Sequence, residues 1–297
     1  MGFKEELSVF PHAKIRYKEL MKKHTTLGVG GECDYYAEVS TLYGLNSLCL
    51  LAKEFFVPYK VIGRGTNLLV SDKGYNGLIV NVSKINDVFF KTDSVRAMAG
   101  ASLEKLIRFA VDHKLSGLEA LSGIPASVGG AIVMNAGAFG HNISDCIETV
   151  ETLKNGKLKV YNREDCRFGY RKSRFYKKDE IIVSATFKFR EREKDAIMCS
   201  VNSFSEIRKN IQPSGKSCGS VFKNPKGISA GQLIERANLK GISVGGAKIS
   251  EKHGNFIVTN GRANAIDVFN LITTIKAKIK DEFDIDLIEE VELVGEF

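Results

Sequence analysis

No two of the six cysteines (Cys33, Cys49, Cys146, Cys166, Cys199, Cys218) form a Cys-x-x-Cys pair. This spacing argues against a zinc knuckle, a thioredoxin-like motif and a disulfide framework, so no metal site is expected and the cysteines read as small buried hydrophobes. No uninterrupted apolar run approaches the roughly 20 residues that a membrane-spanning helix needs. The opening Met1-Gly2-Phe3-Lys4-Glu5-Glu6 lacks the apolar stretch of a secretory signal, and Glu6 stands where a myristoylation signal carries Ser or Thr. Prolines number only five, and 43% hydrophobic with 26% charged residues is ordinary globular composition rather than disorder. The expectation is a soluble cytoplasmic protein with no membrane partner.

Basic residues are missing from one stretch. Residues 281–297 hold eight of the 35 acids and no Lys or Arg, which leaves 43 bases against 27 acids in the first 280 residues. Such an excess suits a partner carrying several phosphates. A dense Lys/Arg stripe with interleaved aromatics is absent, as is any recognition motif for nucleic acid, so a small polyanionic ligand is the better fit.

The 297 residues suffice for two or three lobes and contain no internal repeat or low-complexity tract. Tyr59 to Ile62, Leu68 to Val70 and Leu78 to Val82 are short apolar pieces cut by glycine turns, hence strands. Ser102 caps a predicted helix with Leu103, Leu106, Ile107, Ala110 and Val111 on one face, stopping near Gly117. Residues 181–189 alternate, with Ile181, Val183, Ala185, Phe187 and Phe189 on one face and Ser184, Thr186 and Lys188 opposite, which predicts a half-buried strand. The charged run 190–195 is a boundary. Beyond it, a helix over 265–283 is predicted with Asn264 as cap and Ile266, Phe269, Ile272, Ile275, Ile279 and Phe283 as its apolar face. A last strand is expected over 287–294. Strand alternation there puts Glu290 and Glu292 on one face and Val291 and Leu293 on the other. The mixture reads as α+β with more than one lobe.

Two segments carry the chemistry. Gly63-Arg64-Gly65-Thr66-Asn67 lies between two apolar strands. Its glycines let successive N–H groups converge on one anion, with Arg64 adding charge and Thr66 and Asn67 adding neutral hydrogen-bonding groups. A plain surface hairpin turn is the competing reading. The segment is not a dinucleotide fingerprint, because the third glycine is absent and no helix follows. The second segment, 123–140, contains five glycines and five alanines or serines. Small residues over that length suit backbone lying flat against a ring system or another backbone; a generic packed loop is the alternative.

Taken together, this turn, the Ile124-Pro125-Ala126-Ser127-Val128-Gly129-Gly130-Ala131 run and Asn135-Ala136-Gly137-Ala138-Phe139-Gly140 resemble the FAD-binding part of the UDP-N-acetylenolpyruvoylglucosamine reductases. Thr25 to Gly31, Tyr170-Arg171-Lys172-Ser173-Arg174-Phe175, Gly219-Ser220-Val221-Phe222-Lys223-Asn224-Pro225, Ala230 to Glu235 and Ser250 to Phe256 extend the resemblance over most of the chain. It implies a two-lobed FAD-binding domain of the vanillyl-alcohol-oxidase type (lobes 1–81 and 82–195) and a C-terminal α+β substrate domain (196–297) whose last strand returns to the FAD lobes.

The resemblance also implies the reaction: NADPH-dependent, FAD-mediated reduction of UDP-N-acetylglucosamine-enolpyruvate to UDP-N-acetylmuramate, a peptidoglycan precursor. Separately, a monomer is expected. Carried over, Arg171 stabilises the charge developing on the enolpyruvyl group, Ser220 donates the proton and Glu290 is the catalytic carboxylate. Gly63, Arg64, Gly65, Thr66, Asn67, Ile124, Pro125, Ser127, Gly129, Gly130, Asn135 and Gly137 would hold non-covalent FAD. Lys223, Asn224 and Gln232 would contact the nucleotide sugar, and His253 is assigned a structural or peripheral role. The chain departs from the family pattern at Thr66 (usually Ser), Ala126-Ser127 (usually Gly-Thr) and Glu292 (usually Arg). Its short spacing from Arg171 to Ser220 resembles the compact group that lacks an inserted substrate loop. Two rivals remain at this level: an FAD-dependent alcohol or sugar oxidase, and a nucleotide-sugar-binding protein without catalysis.

Overall fold

A computed structural model describes residues 2–91, 93–176 and 178–297. The chain forms two compact units. Unit 1 comprises residues 1–16, 35–64 and 77–207; unit 2 comprises 17–34, 65–76 and 208–297. The units are interleaved along the sequence, and the expected boundaries after 81 and after 195 both fall inside unit 1.

Unit 1 contains two separate cores. The first packs the helix Leu42–Glu54, through Leu45, Leu48 and Ala52, with Leu78 and Val80 of the strand Tyr75–Asn81. Thr41 caps that helix, its hydroxyl accepting from Gly44 N–H at 3.0 Å. The strand Tyr59–Ile62 pairs in parallel with Tyr75–Asn81, inside a four-stranded sheet whose other members are Ala13–Leu20 and Glu32–Val39. The second core lies against a five-stranded antiparallel sheet, in the order Lys157–Asn162, Ile147–Lys154, Ile181–Phe187, Ser94–Met98, Val88–Lys91. The helices Leu103–Asp112 and Val128–Val133 cover it. Ser102 caps the first of these, with Oγ accepting from Lys105 N–H at 3.0 Å, as its sequence position predicts.

The strand Ile181–Phe187 is buried on both faces, not half-buried, because it sits in the middle of that sheet. A register shift opposite Glu151 and Thr152 interrupts the alternation, sending Val183 to the first core and Ile182 with Ala185 and Phe187 to the second. One extra residue reverses the facing of everything beyond it, which no simple alternation count detects.

Unit 2 is built on the helix Ala265–Phe283. Its buried stripe is Ala265, Val268, Leu271, Ile272, Ile275 and Ile279, packed on the three-stranded sheet Ser243–Val244, Ala247–Ile249, Ile257–Thr259 and on the short helix Ala230–Arg236. Ile266, expected on the apolar face, is exposed. Asn264 holds the cap position with extended backbone. The Asp72 carboxylate, however, accepts from the N–H groups of Ala265 and Ile266, at 2.8 and 2.9 Å. A capping carboxylate also complements the positive end of the helix dipole.

The C-terminal strand is shorter than expected: Glu292–Val294 pairs in parallel with Leu68–Val70. Residues 288–291 instead bond irregularly to the 221–223 segment. Val221 C=O accepts from both Glu290 N–H (2.8 Å) and Val291 N–H (3.3 Å), and Lys223 N–H donates to Ile288 C=O. That doubled acceptor breaks the alternation, so Val291 is buried while Leu293 is 38% exposed.

Asp72→Ala should lower the stability of the protein by about 1–2 kcal/mol, the cost of an N-cap serving two helical N–H groups. Equilibrium urea unfolding reads this directly, and an unchanged midpoint would mean that Asn264 alone suffices.

Candidate active site

In unit 1 the turn after Tyr59–Ile62 begins at Gly63, whose carbonyl accepts from Asn81 Nδ2 at 3.2 Å and Ser83 Oγ at 3.1 Å. A Cβ at Gly63 would lie 2.1 Å from Ser127 Oγ, so the two glycine-rich segments meet here and only glycine fits. Ser127 is buried and caps the helix Val128–Val133, its hydroxyl accepting from Gly130 N–H. Gly129 is buried, Gly130 and Pro125 are exposed, and Ile124 is half-buried. Arg64 is exposed.

Asn135 and Gly137 have structural roles in addition to any ligand contact. Asn135 is buried with φ +44°, donates from Nδ2 to Gly169 C=O at 3.0 Å and accepts at Oδ1 from Ser144 N–H. Gly137 C=O accepts from the Arg171 guanidinium at 3.0 Å. Arg171 sits within the tight turn Gly169–Lys172, closed by two backbone hydrogen bonds, and has φ +49°. A non-glycine residue in the left-handed region is held there by its surroundings, and such positions cluster at functional sites. Ser173 ties this turn to the glycine-rich segment by donating to Val133 C=O at 2.7 Å.

In unit 2, Gly65 has φ +63°, and a Cβ there would lie 1.9 Å from His24 C=O. The backbone N–H groups of Gly65 and Thr66 donate to no acceptor among the described residues. Adjacent N–H groups at a left-handed turn form an anion-binding concavity. That geometry fits a phosphate-bearing cofactor such as FAD. Asn67 is instead engaged with the chain's own C-terminal segment. Its Nδ2 donates to Glu290 C=O at 2.9 Å, and its own C=O accepts from Glu292 N–H at 3.0 Å.

The same unit brings Ser220 and Glu290 onto neighbouring backbone segments. Ser220 pairs with Phe256 on one side, and Val221, the next residue, accepts from Glu290 N–H on the other. Lys223 is half-buried; Asn224 Oδ1 accepts from Ala230 N–H at 3.0 Å, and Gln232 Oε1 accepts from Ser229 N–H at 3.3 Å. The latter two therefore also cap the helix Ala230–Arg236. Burial pushes the Cys218 thiol up to about 12, with the Glu290 charge adding to the effect, so Cys218 stays protonated near neutrality and packs as a hydrophobe. Cys199 is the exposed exception among the cysteines. Among the described residues no cluster of His, Cys, Asp or Glu could hold a metal ion.

Asn255, within the Ser250–Phe256 run, is the residue whose role the sequence did not reveal. It is buried and brackets Phe222, donating from Nδ2 to its C=O at 2.8 Å and accepting at Oδ1 from its N–H at 2.9 Å. Asn255 C=O accepts from Val221 N–H, and Asn255 N–H donates to His253 Nδ1. One amide side chain thus fixes Phe222, two residues beyond Ser220 in the same extended segment. The only sequence signal was a polar residue between Gly254 and two apolar ones. His253 packs edge-on to Phe256 at 4.8 Å, and burial lowers its pKa below 6.5, which makes it a neutral structural acceptor.

The chain is 39% identical over 290 residues to the UDP-N-acetylenolpyruvoylglucosamine reductase of Caldanaerobacter subterraneus subsp. tengcongensis, covering 97% of this chain and 96% of that one. The chain belongs to the UDP-N-acetylenolpyruvoylglucosamine reductase family. A reductase of that name from Geotalea uraniireducens is 41% identical over 284 residues, covering 95% and 94%. The crystal structure of the reductase from Thermus caldophilus superposes with a TM-score of 0.82 at 38% identity, covering 95% of this chain and 99% of that one. The family model for the reductase C-terminal domain matches residues 212–294, and the model for an FAD binding domain matches 33–160. A Physcomitrella patens BBE-like 1 protein, 15% identical with a TM-score of 0.51, covers 64% of this chain and shares fold alone. No described helix is long and apolar enough to cross a membrane.

Asn255→Leu should cost about 2–3 kcal/mol by leaving the buried N–H and C=O of Phe222 without partners, read by urea unfolding. Stability should also fall as the pH is lowered, on account of His253. Its folded pKa lies below 6.5, so the unfolded chain takes up the proton first, and the contribution present above 6.5 is lost as pH drops below it. His253→Gln should flatten that slope; an unchanged slope would exclude this histidine as its source.

Proposed function

We propose that this chain reduces UDP-N-acetylglucosamine-enolpyruvate to UDP-N-acetylmuramate with NADPH, using Arg171, Ser220 and Glu290 as its working side chains. It is an FAD-containing oxidoreductase of peptidoglycan precursor synthesis. When bound, FAD would supply the hydride chemistry between NADPH and the enolpyruvyl methylene carbon. The electron pair of the C=C bond then moves onto the neighbouring carbon and into its carboxylate.

Three demands follow for the protein. The carboxylate must be gripped as charge grows on it, which a guanidinium does through two parallel hydrogen bonds. Arg171 suits this because its turn is closed and its fork is tethered to Gly137. A proton must reach the carbanion carbon, and the Ser220 hydroxyl gives it, with solvent returning the proton to the oxygen afterwards. A serine is too weak an acid to work unaided, so an acid–base partner is needed at its side. Glu290 fills that role.

The observation that carries the residue assignment is the hydrogen bond from Glu290 N–H to Val221 C=O, which seats the carboxylate-bearing segment directly beside the serine-bearing one. Asn224 and Gln232 lie at the start of the helix Ala230–Arg236 and, with Lys223, would take the nucleotide sugar. The residues assigned to FAD are Gly63, Arg64, Gly65 and Thr66 of the turn, and Ile124, Pro125, Ser127, Gly129 and Gly130. Residues 196–297 form most of the substrate side. The same reading makes the protein a cytoplasmic monomer of the compact group.

In stopped-flow experiments Ser220→Ala should accept hydride from NADPH near the parental rate, while reoxidation of the flavin by the enolpyruvyl nucleotide sugar slows by about 10²–10⁴-fold. Reoxidation at the parental rate would remove Ser220 from the mechanism.

A further inference from the structure

The backbone of Glu290 is held from both sides. Its N–H donates to Val221 C=O at 2.8 Å, on the segment that carries Ser220. Its C=O accepts from Asn67 Nδ2 at 2.9 Å, in the last residue of the glycine turn. Asn67 grips the next stage of the same segment too, since its C=O accepts from Glu292 N–H at 3.0 Å. The parallel ladder between Leu68–Val70 and Glu292–Val294 therefore gains one further rung, and that rung is a side chain.

The placement has a chemical logic. Residues 288–291 belong to no regular strand, and Val221 C=O is shared between two N–H groups. Val221 C=O, with its two lone pairs, takes Glu290 N–H at 2.8 Å and Val291 N–H more loosely at 3.3 Å, so the backbone of Glu290 is fixed on the Ser220 side through its N–H. A carboxamide donating to the Glu290 carbonyl fixes the same peptide segment from the opposite side. Asparagine suits this position because its NH₂ reaches a backbone carbonyl while its backbone still enters the strand. Aspartate, of the same size, would turn an acceptor toward an acceptor.

We propose that Asn67 is a positioning residue for Glu290: its carboxamide fixes the Glu290 backbone and, through it, the carboxylate used in the reduction. In this role its Nδ2 serves the chain itself and not the cofactor, which the turn holds through the N–H groups of Gly65 and Thr66. One carboxamide would then join the cofactor turn to the acid–base residue. The inference rests on the assignment of Glu290 given above.

The test uses FAD-loaded enzyme with Asn67→Ala and Asn67→Asp. Both should retain stoichiometric FAD, slow reoxidation by the enolpyruvyl nucleotide sugar by about 10- to 100-fold, a loss typical of misplaced catalytic groups, and affect kcat more than KM. Amide hydrogen exchange over residues 288–292 should accelerate in both, a change visible without turnover. In a Glu290→Gln background, Asn67→Ala should add no further slowing, because the two act through one group. Loss of FAD with reoxidation intact in cofactor-saturated enzyme would make Asn67 a cofactor ligand and overturn the proposal, as would additive slowing in the double variant. If Glu290→Gln alone leaves reoxidation unchanged, the assignment of Glu290 fails instead, and exchange over 288–292 still reports on the clasp. Should the Asn67 variants not fold, a crystal structure of the parental holoenzyme decides. Nδ2 within hydrogen-bond distance of Glu290 C=O supports the proposal, and Nδ2 turned onto the cofactor refutes it.

Discussion

Parallel pairing between Leu68–Val70 and Glu292–Val294 closes unit 2, and much of what lies near it depends on that ladder. On one side it continues into the 65–67 turn through Asn67. On the other it leads back into residues 288–291, which lean on the segment holding Ser220. Asp72, just past the first strand of the pair, reaches the start of the helix Ala265–Phe283 and anchors the element that supplies most of the unit's core. Three residues of pairing, about three rungs of main-chain hydrogen bonds, would be marginal in isolation. Capping, the Asn67 rung and burial of Leu69 and Val70 reinforce them.

Much of this was legible in the chain. Tyr59–Ile62 and Leu68–Val70 were bounded by glycines and stood out as strands; Ser102 and the spacing after it marked a helix that the structure reproduces. These elements declare themselves because the signal is local. The errors share a cause as well. The bulge at Val183, the exposed Ile266 and the irregular 288–291 run are each settled by a partner distant in sequence. Periodicity cannot register a strand that is central in its sheet, or a carbonyl that serves two donors. Asn264 looked like the cap by position, whereas the carboxylate that performs much of the capping comes from Asp72.

For the candidate site, composition and spacing reached as far as a glycine turn suited to an anion and a small-residue segment suited to a ring or a backbone. The contact between Gly63 and Ser127 joins those two segments and gives the small residues at least one packing reason. The roles of Arg171, Ser220 and Glu290 came from family resemblance, since an arginine in a basic stretch, a turn serine and an acidic strand are each commonplace alone. Asn255 lies within the Ser250–Phe256 run of the resemblance but received no role from it. Its importance lies in four hydrogen bonds to nearby backbone and a ring nitrogen, and single-residue chemistry does not announce such a set.

Asn67 and Glu290 are 223 residues apart in the chain, and their bond has a consequence for how the protein is made. During synthesis the segments 17–34 and 65–76 emerge long before the residues that complete their unit, whereas unit 1 has its whole complement by residue 207. Unit 1 can therefore gather its two cores while the ribosome is still elongating, and the ends of 17–34 find strand partners early in the four-stranded sheet, but Leu68–Val70 must wait for Glu292–Val294. Waiting edges invite the wrong partners, and pairings between distant residues form slowly. The waiting edge is only three residues long, but all three are apolar, so the glycine and polar residues of 63–67 on one side and Ser71 and Asp72 on the other are what limit its reach until the C-terminal strand arrives.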